Sequence, residues 1–570
     1  MANLEFIPNS PTLMNAGTEQ GTLSACFVLP LEDSMEDIMK AATDTAMVQK
    51  FGGGTGFALS HLRPKGDKIQ STHGVACGPI EVLKTLSRVS SMITQGGKRD
   101  GANMAVMSIY HPDILDFIDC KKVEGEIHNF NISVGVDSNF MKAAENNMEY
   151  NLINPKTNEI AGSLNARDVF NKIVAGAWRN GEPGMIFLDQ VNKDNHVKET
   201  YGEMIATNPC GEQPLLGNES CNLGSVNLAR FYTKADGPTH GWDEKVDWNR
   251  LEWVTRKAVH FLDNVIDANK YATSEIEQMT KATRKIGLGV MGFADLLIQM
   301  HIPYNSSTAR DVGAKLMSKI KEWADDESKE LAKVRGTFPA WSDSNYNKDT
   351  EAYRNHCRLT VAPTGTISMI ADTSSGIEPT FALAWKKQNI LEGKTLNYVN
   401  KYFEADAKKH GFYSEDLMDY LAEGGSLESV PDLPDWVKAV YATAPEISPE
   451  DHVLMQASFQ KHCDSGISKT INFANSATVE DVENAYMLAW EEGCKGITVY
   501  RAGSREKEVL VKGNKEKAEQ PTLDGFELEN QLINEDVALP EHNCCDDPNI
   551  IFESGCHTCK VCGWSACVIS

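Results

Sequence analysis

Asn208, Cys210 and Glu212 alternate through the segment Asn208-Pro209-Cys210-Gly211-Glu212-Gln213-Pro214. On an extended chain alternate side chains share a face, so an amide, a thiol and a carboxylate are expected together on one side. Pro209 and Gly211 suit a loop better than the interior of a helix or strand. A cysteine by itself is usually a small buried hydrophobe. A neighbouring acid that can take a proton, and an amide that can hold a hydroxyl, make Cys210 a candidate reactive thiol. Ser220-Cys221-Asn222-Leu223-Gly224-Ser225 follows closely and carries a further thiol.

The chain holds 14 cysteines, and they are unevenly spread: Cys544, Cys545, Cys556, Cys559, Cys562 and Cys567 crowd the C-terminal end. A disulfide-scaffolded secreted domain is short and Cys-dense throughout, unlike this chain of 570 residues. Its first residues lack a basic segment followed by an apolar run, so no signal peptide is expected. No apolar stretch reaches the roughly 18 residues of a membrane span. A reducing, cytoplasmic setting is the expectation, and the crowded cysteines then read as metal ligands or exchange thiols. The Cys556-x-x-Cys559-x-x-Cys562 spacing suits zinc, with Cys544 or Cys545 completing the set. It equally suits thiol exchange.

Lys and Arg number 55 against 80 Asp and Glu, a net charge of −25. Such a surface repels phosphate backbones and anionic membranes, which argues against a nucleic-acid or membrane binder. An anionic substrate requires a locally positive or N–H-rich pocket. Three loops are candidates. Gly52-Gly53-Gly54-Thr55-Gly56 follows a helical segment and lacks a Lys-Ser/Thr pair, so it reads as a tight backbone path and not as a nucleotide fingerprint. Gln95-Gly96-Gly97-Lys98-Arg99-Asp100-Gly101-Ala102 carries two adjacent cations, either on a solvated turn or on a loop that closes on an anion. Pro363-Thr364-Gly365-Thr366-Ile367-Ser368 leaves a strand, with Gly365 expected to permit a sharp turn. Its hydroxyls beside exposed N–H groups make a phosphate cradle without a lysine.

These loops need a scaffold. The periodicity predicts helices over Ser34–Lys50, Arg167–Asn180, Trp253–Asn269 and Val482–Glu492, with Ser34 as a cap. Asn131–Val134 and Leu359–Ala362 read as buried strands. Apolar residues make up 41% and charged residues 24%, ordinary for a globular chain, and interspersed strands and helices give an α/β class. The length alone allows roughly three to five domains. The pattern divides into a large body over 1–505, a polar flexible linker over 506–543 and the Cys-rich tail over 544–570.

Asn208–Glu212 with Ser220–Ser225 resembles the active-site finger loop of the class II, adenosylcobalamin-dependent ribonucleotide reductases. The resemblance runs through nearly the whole chain. It includes Pro8-Asn9-Ser10-Pro11-Thr12-Leu13-Met14-Asn15-Ala16-Gly17 and Leu23-Ser24-Ala25-Cys26-Phe27-Val28-Leu29-Pro30. It continues with the Gln95–Ala102 loop, Pro363–Ser368 and Gly496-Ile497-Thr498-Val499-Tyr500-Arg501. A glycyl-radical enzyme would need a glycine motif near the C-terminus, and none is found. The class with a separate metal subunit relays its radical through two adjacent tyrosines, where this chain has Val499-Tyr500.

The resemblance implies a ten-stranded α/β barrel of two five-stranded halves with the Cys210 loop inside. It implies reduction of ribonucleotides, as diphosphates, by a thiyl radical at Cys210. Glu212 then acts as base for the 3′-OH proton and Asn208 holds the substrate hydroxyls. Cys26 and Cys221 are the reducing pair, which requires their Cα atoms within about 7 Å. Substrate binding falls to Ser10, Ala25 and Pro363 to Ser368 (Thr364, Gly365, Thr366 and Ile367 between). A deoxynucleotide effector is implied at Asp33 and Arg63, with Lys98 and Arg99 communicating. Cys562 and Cys567 become a shuttle to a thioredoxin or glutaredoxin-like reductant, leaving Cys544, Cys545, Cys556 and Cys559 for zinc. A homodimer is implied as well. Members of the family carry a longer helical segment before the Pro8–Gly17 motif, so this is expected to be an N-terminally short form without an overall-activity domain. Two other readings are an idle nucleotide-sensing homologue and a zinc-ribbon protein whose tail recruits a partner; the set of Asn208, Cys210, Glu212, Cys26 and Cys221 argues against both.

Overall fold

A computed structural model of the chain describes residues 1–19, 21–69, 73–95, 99–123, 125, 127–234, 241–348, 352–390, 394–504, 550–553, 556–559 and 565–567. The predicted helices form with small shifts at their ends, each set by a capping side chain. Ser34 accepts the Asp37 N–H and starts the helix Met35–Gln49. Thr478 and Asp481 form a reciprocal capping box that starts the last of the described helices at Val479. The helix predicted from Trp253 begins earlier, at Trp248, because Asp247 accepts the Arg250 N–H there.

The strands that build the wall are β1 (Phe6–Pro8), β2 (Cys26–Val28), β3 (Gly54–Ala58), β4 (Asn103–Ser108), β5 (Phe130–Val136) and β6 (Gly184–Phe187). A two-residue pair, β7 (Ala206–Thr207) and β8 (Pro214–Leu215), makes a separate antiparallel hairpin. Then come β9 (Glu219–Asn227), β10 (Ile286–Met291), β11 (Thr470–Phe473) and β12 (Gly496–Arg501).

β2, β3, β4, β5 and β6 run parallel to one another in that order. The second half is also parallel. β10 follows β9, Leu288 bridges Leu359, Val361 bridges Ile467, and the chain from Ile467 leads into β11 beside β12. The predicted strand at Leu359–Ala362 is therefore a wall segment, joined to its neighbours by bridges at alternate residues. The halves meet antiparallel at two seams: Cys221 opposite Cys26, and Met185 opposite Ile497. Two parallel five-membered halves close the barrel, and β1 adds an antiparallel strand against β9.

The wall strands point every second residue outward, under the helices, and the next inward. Phe27, Phe57, Ala105, Met107, Met185 and Phe187 pack outward in one large core, and Ile286, Leu288 and Val290 do so in the other half. The inward set is smaller: Cys26, Ala58, Val106, Ile186, Cys221 and Leu223 share a third cluster. Glycines at 54, 56, 287 and 289 complete it. The interior therefore has space for a segment of backbone.

The chain divides into two units, Met1–Asn514 and Lys515–Ser570. In the second, the strands Ile550–Glu553, Cys556–Cys559 and Ser565–Cys567 pair antiparallel in sequence order, with Cys556 opposite Cys567. Among the described residues no helix is long and apolar enough to cross a membrane.

Candidate active site

The β7–β8 hairpin carries Asn208 to Gln213 into the barrel. A Cβ added to Gly56 of β3 would stand 1.8 Å from the Thr207 carbonyl oxygen, so only glycine admits the hairpin at that place. On the other side Gly466 approaches the Gly211 carbonyl, and its N–H donates to the Glu212 carbonyl over 2.8 Å. The Thr360 hydroxyl donates to the same carbonyl over 2.8 Å, and Asn131 Nδ2 donates to the Pro209 carbonyl over 2.8 Å. Both barrel halves thus grip the loop. Within it, Asn208 N–H donates to the Gln213 carbonyl and Gln213 N–H to Asn208 Oδ1, which bends the tip back on itself.

The wall and the loop bring four polar side chains together. Asn208 Nδ2 donates to Cys26 Sγ over 3.1 Å, and the Cys26 thiol donates to Glu212 Oε1 over 3.9 Å. Cys26 and Cys221 are direct partners in the antiparallel ladder, a placement that sets Cα atoms about 4.5–5.5 Å apart, inside the disulfide range. Cys26, Cys221, Asn208 and Glu212 are all buried, whereas Cys210 is exposed.

Burial controls the electrostatics. It raises the Glu212 carboxyl from 4.5 to about 7, against hydrogen bonds from Asn208 and Cys26 that lower it. Glu212 Oε2 is buried without a partner and is available to a ligand hydroxyl. Burial also pushes both Cys26 and Cys221 well above the ordinary thiol value. A carboxyl that titrates near neutrality can take or give a proton at little cost, and neutral thiols carry transferable hydrogen.

The chain matches the model of the ribonucleotide reductase barrel domain over residues 24–353 and 349–500. It belongs to the ribonucleotide reductases. It is 49% identical over 533 residues to the vitamin B12-dependent ribonucleoside-diphosphate reductase of Thermoplasma acidophilum, covering 93% of this chain and 68% of that protein. The Mycobacterium tuberculosis protein of the same name is 47% identical over 511 residues, covering 90% of this chain and 72% of its own length. Among solved structures, the class Id ribonucleotide reductase alpha subunit of Actinobacillus ureae superposes with a TM-score of 0.73 at 24% identity, over 88% of each chain, a likeness of fold.

The remaining predicted site residues of this reductase lie in three places. Ser10 opens the helix Ser10–Asn15, next to the residue whose N–H donates to the Leu223 carbonyl, and Ala25 precedes Cys26 with its N–H on the Cys221 carbonyl. Ala25 thus borders the cysteine pair. Within Pro363–Ser368 the expected sharp turn falls at Thr364, which is left-handed with φ +56, and Gly365 begins the short helix Gly365–Ala371. Thr364 is held there because its Oγ accepts the Gly376 N–H over 2.8 Å. Thr366, Ile367 and Ser368 lie in that helix.

Asp33 and Arg63 meet: Arg63 Nε donates to Asp33 Oδ2 over 2.7 Å, and Arg63 N–H to Oδ1 over 3.1 Å. Arg63 lines a groove of about 560 Å³ with Lys68, Asn154 and Lys156. Arg99 lies in a short hairpin strand pairing Gln95, and Lys98 falls outside the described residues, as do Cys544, Cys545 and Cys562. Sequence reasoning missed Asn131, Thr360 and Gly466, which hold the loop through backbone contacts that leave no local pattern. It also missed a buried ion pair at the foot of the hairpin, Glu219 with Lys285.

Proposed function

We propose that this chain reduces ribonucleoside diphosphates to 2′-deoxyribonucleoside diphosphates, with cobalamin in the adenosyl form as radical source. The observation that carries the reading is the convergence on Cys26, itself in register with Cys221, of Asn208 and Glu212 from the loop that also carries the exposed Cys210. The relatives named as vitamin B12-dependent ribonucleoside-diphosphate reductases support the substrate and the cofactor.

A thiol that must receive a radical from a bound group has to stand open on one side. Cys210 is exposed, and nothing lies within 4 Å of where a Gly211 side chain would begin, so the loop tip fits an incoming cofactor. When bound, adenosylcobalamin supplies the oxidising equivalent that makes Cys210 a thiyl radical. Cys210 then takes the hydrogen from C3′. Glu212 accepts the 3′-OH proton through Oε2 and Asn208 holds the neighbouring hydroxyl. The 2′-oxygen departs as water with a proton from the cysteine pair. Cys26 and Cys221 supply two electrons and close to a disulfide, and Cys210 returns hydrogen to C3′. One ribonucleotide and one dithiol give one deoxyribonucleotide, one disulfide and water. Pro363, Thr364, Gly365, Thr366, Ile367 and Ser368, with Ser10 and Ala25, hold the substrate.

Asp33 and Arg63, at the groove with Lys156, bind a deoxynucleotide effector, and Lys98 and Arg99 carry its signal. Cys562 and Cys567 return the disulfide to thiols with a thioredoxin or glutaredoxin-like protein, while zinc takes Cys544, Cys545, Cys556 and Cys559. The enzyme works as a homodimer in a reducing cytoplasm. The test is anaerobic reduction of CDP with dithiothreitol, with and without adenosylcobalamin. Product should require the cofactor, and Cys210→Ser should form none. Turnover without cobalamin, or by Cys210→Ser, refutes the reading.

A further inference from the structure

The two sulfurs of the redox pair face different charges. Cys26 adjoins the finger loop, with Glu212 and Asn208 on its Sγ. Cys221 faces the hairpin's foot. There the parallel register begins at Asn222 and Ile286, so Cys221 and Lys285 are the residues just before it on the two neighbouring segments. Cys221 Sγ donates to the Asn222 carbonyl over 3.3 Å, and the Lys285 charge favours its thiolate. The Lys285 and Glu219 side chains are wholly buried and paired at 2.8 Å. Lys285 Nζ also donates to the Pro214 carbonyl over 3.2 Å, while Glu219 accepts the Leu216 N–H and the Thr283 hydroxyl. Three donors on the carboxylate are more than a salt bridge needs, and they hold the cation in one place.

We propose that Lys285, held by Glu219, polarises the Cys26–Cys221 disulfide, so that an incoming thiolate attacks Cys26 and Cys221 leaves as the thiolate. The inference rests on the reading of these two cysteines as the reducing pair. The attacking sulfur bonds to Cys26 Sγ, the S–S bond breaks, and its electron pair goes to Cys221 Sγ, the sulfur whose thiolate the Lys285 charge favours. Cys221 then takes a proton from water. A second thiolate of the reductant attacks the first, closing the reductant's own disulfide and freeing Cys26, which is protonated in turn. The reductant is oxidised by two electrons and the pair is reduced by two.

The surroundings of each sulfur agree with this direction. Around Cys26, burial and the charges of Glu212, Cys221 and Cys210 all oppose a thiolate, and the Asn208 hydrogen bond is the one influence for it. Around Cys221, burial and the charges of Glu219, Cys357 and Glu212 oppose it, and Lys285 favours it. Lys285 remains charged: burial lowers its pKa, but Glu219 and the nearby thiols raise it further. A leaving sulfur departs faster the more its thiolate is stabilised.

The test uses full-length enzyme carrying Cys562→Ser and Cys567→Ser, so that the tail cannot compete, oxidised at the active site. Glutathione is added, the reaction is quenched with acid and N-ethylmaleimide, and peptides are mapped by mass spectrometry. Glutathione is expected on Cys26 and maleimide on Cys221. Lys285→Met should slow re-reduction about three- to tenfold, the effect of one lost pKa unit of thiolate stabilisation partly or fully developed in the transition state, and should shift the adduct toward Cys221. Its pH profile, set by ionisation of the attacking glutathione thiol, should keep its midpoint while the rate falls, and Lys285→Arg should restore the wild-type rate and pattern. The double variant Glu219→Gln/Lys285→Met removes both charges and guards against a fold lost to an unpaired carboxylate; it should behave as Lys285→Met does. Glutathione mainly on Cys221 in the parent enzyme, or a wild-type rate and pattern in both charge-removed variants, overturns the inference. Failure to find any Cys26–Cys221 disulfide after turnover overturns the reducing-pair reading itself.

Discussion

Asn208 Nδ2 lies 3.1 Å from Cys26 Sγ, although 182 residues separate them in the chain. The same side chain takes the Gln213 N–H on its Oδ1. One amide therefore ties the finger loop to the barrel wall at the thiol and also closes the loop's own turn. Neither partner is replaceable by water, because the site is buried.

Asn208→Ala removes both bonds and leaves the Gln213 N–H without an acceptor. Loss of an oriented donor at a reacting group costs roughly 10²–10³ in turnover. Anaerobic CDP reduction should show a kcat lowered by that order with a smaller change in KM. An unchanged kcat would remove Asn208 from the machinery.

Glu212 sets the pH dependence. Its carboxyl titrates at about 7, and its proposed task as base needs the ionised form. The kcat/KM should fall about tenfold for each pH unit below 7. Glu212→Gln should remove that acid limb and lower activity by roughly 10²–10⁴. A wild-type profile flat from pH 6 to 8 would contradict the assignment.

The same group makes stability depend on pH in the opposite sense from a salt-bridged carboxylate. Its folded value, about 7, lies above the usual 4.5. The favourable neutral form is fully present below 4.5 and is lost as pH rises through 7. Wild type should therefore lose up to roughly 3 kcal/mol between pH 5 and pH 8 that Glu212→Gln does not lose. In thermal melts the variant's Tm should gain on wild type as pH rises. A constant difference between them would mean that Glu212 is not desolvated.

The sequence carried the thiol, the amide and the acid openly, because three chemically distinctive residues fall within five positions on a Pro/Gly loop. It also carried the helices through their spacing and the Ser34 cap. Other features depend on partners far along the chain. That Gly56 exists for the Thr207 carbonyl, or that Lys285 reaches Pro214, is decided by strand register, which local periodicity does not contain. A sharp turn is expected at Gly365 by residue type, yet the left-handed residue is Thr364, because the Gly376 N–H reaches its hydroxyl. The Leu359–Ala362 segment looked like a strand from its apolar run, but only the bridges to Leu288 and Ile467 reveal it as the piece that closes the barrel.

The tail makes a separate prediction. A buried disulfide is out of reach of a folded reductant, whereas a small thiol can diffuse to it. Cys567→Ser should keep CDP reduction with dithiothreitol and lose it with thioredoxin as the only reductant. Equal loss with both would contradict the shuttle.

The entry of the hairpin into the barrel can be tested without any substrate. Gly56→Ala places a methyl 1.8 Å from the Thr207 carbonyl oxygen, a backbone atom that cannot swing aside. Either the hairpin or β3 must move, at a cost of about 3 kcal/mol, the upper part of the range for overpacking. Gly365→Ala is the matched control: nothing lies within 4 Å of its added Cβ, and its φ is not left-handed. Its stability should stay within about 0.5 kcal/mol of wild type. Denaturant melts compare the two directly. The moved hairpin should also loosen the Asn208 contact, so Gly56→Ala should make Cys26 react faster with a small thiol reagent, while Gly365→Ala leaves that rate unchanged. Equal stability and equal thiol rates in the two variants would place the hairpin outside the barrel.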